Sequence, residues 1–93
     1  MATNTTTTTT SKARLTKEQW DDVRDLAATV TGYTGSASII HGQTTPQIVR
    51  RALAHIDTGD YGEATDLLNA LILREAFNTF VGVEAKKRLK AQQ

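Results

Sequence analysis

Gly59 stands between two runs of amphipathic helix, and that arrangement limits the chain's folds more than any other feature. Before it, Thr45-Pro46 combines a hydroxyl at the cap with a proline at the first helical position, a strong helix start. Ile48, Val49, Ala52, Leu53 and Ile56 then recur at helical spacing, with Gln47, Arg50, Arg51 and Ala54 turned away. After it, Ala64, Leu67, Leu68, Leu71 and Ile72 repeat the pattern. Glycine reaches the left-handed conformation that closes a helix, and Asp60 can open the next one with its carboxylate near free amide groups. So short a connection makes the two helices antiparallel neighbours whose apolar faces meet. The expectation is an all-α fold built on a hairpin of helices 46–57 and 60–80.

Beyond Ile72 the apolar residues change sides. At 100° per residue, Leu73, Ala76, Phe77 and Phe80 project roughly opposite the first group. Either the helix breaks near Arg74 to Asn78, or the second face is covered by helix one, by the tail or by another molecule. Gly82 is expected to separate this helix from a last one at 83–91, whose helix formers end in a basic cluster suited to a carboxyl-terminal dipole.

Upstream, Thr16 and Gln19 have capping-box spacing, and Leu15 and Trp20 are placed as a hydrophobic staple. Trp20, Val23, Ala27 and Val30, with Leu26 beside them, make one stripe, and Gly32 closes the helix, giving a first helix over about 16–31. Residues 32–44 form a connection long for a compact helical protein, with Ile39 and Ile40 as its only anchors, and its length makes it a candidate binding loop. Residues 1–14 carry six consecutive threonines and almost no apolar side chains, so they are expected to form a disordered arm ahead of one helical domain, 15–93.

Gly59-Asp60-Tyr61 followed by Glu63-Ala64 resembles the middle of a tetratricopeptide repeat, in which such a turn joins two helices and small residues, here Ala52 and Ala64, let them pack closely. The resemblance covers about one repeat. That architecture needs about three to bury a continuous core, and residues 15–44 hold no second copy. What the resemblance implies is hairpin geometry, not an activity.

Chemistry-bearing constellations are sparse. There is no cysteine, and the two histidines, His41 and His55, have no second ligand at metal spacing. Ser36 and Ser38 lack the strand-turn-helix elbow of a nucleophile, and Asp21 and Glu84 have Arg24 and Arg88 within helical reach as partners. The expectation is a non-enzymatic protein without cofactor or metal. Eleven basic residues against ten acidic leave no global field to drive nucleic-acid or membrane binding. With no bilayer-length apolar run and no apolar centre of a secretory signal, the chain reads as soluble and cytoplasmic.

The favoured function is protein–protein interaction, as an adaptor, inhibitor or assembly component that binds a partner or self-associates. Phe77, Phe80, Val81 and Trp20 are the candidate contact residues. The alternative is a nucleic-acid-binding helical domain using Arg50 and Arg51 with the basic tail of Lys86, Lys87, Arg88 and Lys90. Against it, the helix after Gly59 begins with Asp60, Glu63 and Asp66, which repel phosphate.

Overall fold

The structure, a computed structural model, describes residues 14–92. Three α-helices account for most of them: α1, Lys17–Thr31; α2, Thr45–Asp57; and α3, Tyr61–Gln92. The all-α expectation holds. The expected disordered arm, apart from Arg14, lies outside the described residues.

The helix ends follow local chemistry closely. Thr16 caps α1, its hydroxyl accepting from the Gln19 amide at 3.1 Å while the Gln19 side chain accepts from the Thr16 amide at 2.8 Å. Gly32 closes α1 in the left-handed conformation, φ 77°. The start of α2 needs a correction of one residue. Thr44, not Thr45, is the cap, because Gln47 stands three residues on and completes a second capping box. Thr45 is released for another use: its hydroxyl accepts from Arg74 at 3.0 Å. At the hairpin turn Gly59 has φ 83°. The Asp60 carboxylate turns back to the Thr58 hydroxyl at 2.9 Å and toward His55 Nδ1 at 3.6 Å, where the sequence suggested the amides of the next helix.

The larger correction concerns α3. It runs unbroken for 32 residues, through the segment 74–78 where a break was one possibility and through Gly82, which was expected to separate helices 60–80 and 83–91. A glycine inside a helix costs about 1 kcal/mol relative to alanine, a penalty small enough for tertiary packing to offset. Packing is present on both sides of it. α2 lies along the amino-terminal half of α3 and α1 along the carboxyl-terminal half, both antiparallel to it. α3 is therefore a common spine of about 48 Å, and Gly82 lies where α1 is docked.

Two small cores result. One joins Ile40, Ile48, Ala52, Ala64 and Leu67, with Tyr33, Ala70 and Leu71 packed around it. The other joins Leu15, Val23 and Ala85, with Trp20, Val81 and Leu89 packed around it. Ala52 and Ala64 are both buried at the α2–α3 crossing, where small side chains let the backbones approach. The 32–44 connection contains a short 3-10 turn, Gly35–Ala37, and only one of its isoleucines is an anchor. Ile40 is fully buried, while Ile39 is 56 % exposed.

Polar ties hold the spine to both partners. Arg74 donates to the Gln43 carbonyl at 2.6 Å as well as to Thr45, fastening mid-α3 to the start of α2. Arg88 donates to Asp22 at 2.6 Å and to Glu84 at 3.1 Å, fastening the far end to α1.

Candidate functional site: an apolar face on the α2–α3 hairpin

The apolar stripe of α2 is wider than its contact with α3. Ile48 and Ala52 are buried, but Val49, Leu53 and Ile56 remain exposed. On α3, Ala64 and Leu67 are buried and Leu71 is half-buried, whereas Tyr61, Leu68 and Ile72 remain exposed. At 100° per residue, each exposed set lies roughly 65–125° round its helix from the mutual contact, in the same rotational sense. For antiparallel helices, equal rotations of one sense bring the two flanks to the same side of the pair. The exposures agree: Leu68 at 36 % lies nearest the contact, and Tyr61 at 65 % and Ile72 at 64 % lie further out.

The opposite flank is closed. There the 32–44 connection brings Ile40 into the core and packs Tyr33 against it, and the Tyr33 ring meets Phe77 with centroids 5.4 Å apart. The open flank thus presents six large apolar side chains from two helices, with Thr65 among them on α3.

The residues singled out by sequence are placed differently. Trp20 and Val81 are half-buried against the Leu15, Val23 and Ala85 core, and Phe77 is half-buried against Tyr33. Phe80 is half-buried. Val81 is covered by α1, one of the expected ways, whereas Phe77 is covered by Tyr33 of the 32–44 connection, which was not among them. The signal for the hairpin face was in the sequence all along. Five apolar residues on α2 span an arc of roughly 140°, more than one neighbouring helix covers.

The basic residues form two separate groups. Arg50 and Arg51 border a shallow recess of about 440 Å³ with Gln43, Gln47 and Ala54, and Arg51 donates to Gln43 Oε1 at 2.7 Å. Lys86, Lys87, Arg88 and Lys90 lie about 30 Å away along α3. Arg88 is occupied by Asp22 and Glu84, which hold its guanidinium even more firmly protonated than usual, and Lys87 stands 3.8 Å from Glu84. Lys86 and Lys90 are exposed. Among the described residues, no three His, Asp or Glu side chains gather as a metal site, and no helix is long and apolar enough to cross a membrane.

Asp21 on α1 accepts from Lys17 at 2.9 Å and from Arg24 at 2.8 Å. These hydrogen bonds, Lys17 first, hold its carboxyl below the ordinary value of 3.8. A depressed carboxyl contributes stability that is present above its unfolded value and lost as pH falls through its folded one. Asp21→Asn is therefore expected to lower the melting temperature slightly at neutral pH and to have no effect well below pH 3.8. Thermal melts followed by circular dichroism at the two pH values check this, and added salt should shrink the neutral-pH difference because the pair is exposed.

Comparison with family models, with curated proteins and with solved structures finds no match for this chain.

Proposed function

We propose that this chain is a non-enzymatic interaction protein that acts by presenting the α2–α3 apolar face to another protein chain. The observation that carries the reading is the face itself: Val49, Leu53, Ile56, Tyr61, Leu68 and Ile72 lie on one side of a hairpin and are left to solvent. Monomeric proteins rarely leave contiguous apolar patches of more than a few hundred Å² uncovered, and larger ones mark binding surfaces. In this reading Trp20, Phe77 and Val81 serve the fold that holds the face in place.

The test compares the tagged wild-type chain with Leu53→Asp and Ile72→Asp in affinity capture, read by quantitative mass spectrometry, with the captured copies of the chain itself counted as a possible partner. Both side chains are more than half exposed, so the variants should keep wild-type helicity. The expected result is a specific binder, self or other, depleted at least about tenfold in both variants, as a lost buried apolar anchor predicts. Binding that ignores both substitutions sinks the reading.

A further inference from the structure

We infer that the recess on the closed flank of α2, lined by Gln43, Gln47, Arg50, Arg51 and Ala54, is a binding site for a single phosphate monoester group. The site goes beyond the proposed protein contact, since the apolar face lies on the other flank of the same helix.

The first argument is charge. Arg24 and Arg88 each have a carboxylate close along their helix, Asp21 for one and Glu84 for the other. Arg50 and Arg51 have none. No Asp or Glu occurs between Thr44 and Ile56, so neither arginine has an acid three or four residues away, and neither forms an ion pair among the described residues. Glu63, the acid on the same flank of α3, is exposed and stands about one helical turn nearer the hairpin turn, given the register set by Arg74 against Gln43 and Thr45. Two positive charges therefore border one recess with no counter-charge built in.

The second argument is hydrogen-bonding capacity. Gln43 is fixed on four sides: its amide donates to the Ile40 carbonyl at 3.0 Å, its carbonyl accepts from Arg74 at 2.6 Å, its Nε2 donates to the Ile39 carbonyl at 3.2 Å, and its Oε1 accepts from Arg51 at 2.7 Å. Arg51 is thus held at one end by a rigid neighbour, and its other N–H groups have no acceptor among the described residues. Gln47 uses its Oε1 to accept from the Thr44 amide at 2.8 Å, which leaves its Nε2 as a donor. The free polar side-chain groups of the recess are therefore all donors, and an oxyanion is the complementary ligand. A phosphate monoester carries nearly two charges at neutral pH and three acceptor oxygens, a better match to two guanidinium groups and an amide than the single charge of a carboxylate. At about 440 Å³ the recess admits the group with the first atoms of its carrier.

The other cations argue against a nucleic-acid strand, which is held by a track of several Lys and Arg contacts. Here Lys86, Lys87 and Lys90 lie about 30 Å away along α3, and between them Arg88 is held by Asp22 and Glu84.

The test titrates the full chain at low salt with inorganic phosphate, acetate, and a short neutral peptide with and without one phosphoserine, followed by amide NMR. The expected result is saturable shifts at Gln43, Gln47, Arg50, Arg51 and Ala54 with inorganic phosphate and the phosphopeptide, and binding at least about tenfold weaker with acetate and the unphosphorylated peptide. Arg50→Gln and Arg51→Gln should each weaken phosphate binding at least about fivefold at unchanged helicity, and Lys86→Gln should leave it unchanged. A phosphopeptide that binds tighter than inorganic phosphate assigns the site to a phosphorylated side chain, and equal affinities assign it to a free small phosphate. Acetate as strong as phosphate, binding that ignores both glutamine variants, or shifts spread equally over Lys86, Lys87 and Lys90 would overturn the inference. So would a single-stranded oligonucleotide that binds tighter than the phosphopeptide and is weakened as much by Lys86→Gln as by Arg51→Gln.

Discussion

Truncating Ile48 to alanine is expected to destabilise the chain by about 2–5 kcal/mol, the range for deleting a fully buried branched side chain. Ile48 has no solvent-exposed surface and lies among Ile40, Ala52, Ala64 and Leu67. Few neighbours can collapse into the vacated space, because two of them are alanines already set at the helix crossing. A chain of this length has total stability on the order of 5–10 kcal/mol, so the loss would be a large fraction of the whole. Urea titration followed by circular dichroism measures it. Arg50→Ala, on the exposed side of the same helix, serves as the control and should change stability by no more than about 0.5 kcal/mol. Equal losses at the two positions would mean that α2 does not present Ile48 to α3.

Placing proline at Ala76 is expected to separate the molecule into two unequal halves. Ala76 is exposed, so the substitution removes no core contact, but proline there deletes a backbone hydrogen bond and clashes with the carbonyl one turn earlier. The cost is about 3 kcal/mol or more in a helix interior. It falls on the stretch of spine between the Ile48 core and the Val23 core. Amide exchange should rise sharply in α1 and in α3 beyond residue 80, while α2 and its facing turns of α3 keep more of their protection. The reverse substitution probes the same continuity. Gly82→Ala meets open space around its new methyl group and should stabilise the chain by about 0.5–1 kcal/mol. A destabilising Gly82→Ala, or a harmless Ala76→Pro, would show that the spine is not continuous in solution.

Much of the fold was legible because its punctuation is local. The Thr16–Gln19 box, the closing Gly32, and the Gly59 turn each depend on groups within a few residues, and all three are as the spacing predicts. The pairs Asp21 with Arg24 and Glu84 with Arg88 were readable for the same reason. Even the one-residue displacement of the α2 cap is local: Gln47 lies three residues from Thr44, a spacing as visible as the proline that drew attention to Thr45.

The candidate site was less legible, since two features with the same sequence pattern received opposite environments. Leu73 to Val81 looked like a spare face because it points away from the hairpin stripe. Yet Phe77 found Tyr33 and Val81 found α1, both distant in sequence. Leu53 and Ile72 looked like core because they complete the hairpin stripe, yet one antiparallel contact is too narrow to cover them. Periodicity reports which residues share a face. It does not report how much of that face a neighbour will cover.

The sequence by itself determined, to within a residue, where the three helices start and where the first two stop, together with their apolar faces and the turn that folds α2 back on α3, since each is decided by groups close along the chain. Only the tertiary structure decided that Gly82 stays helical, that Ile40 rather than Ile39 is the anchor, and that the hairpin flank stays open. Those outcomes depend on where α1 and the 32–44 connection dock along α3, and so on contacts between residues tens of positions apart.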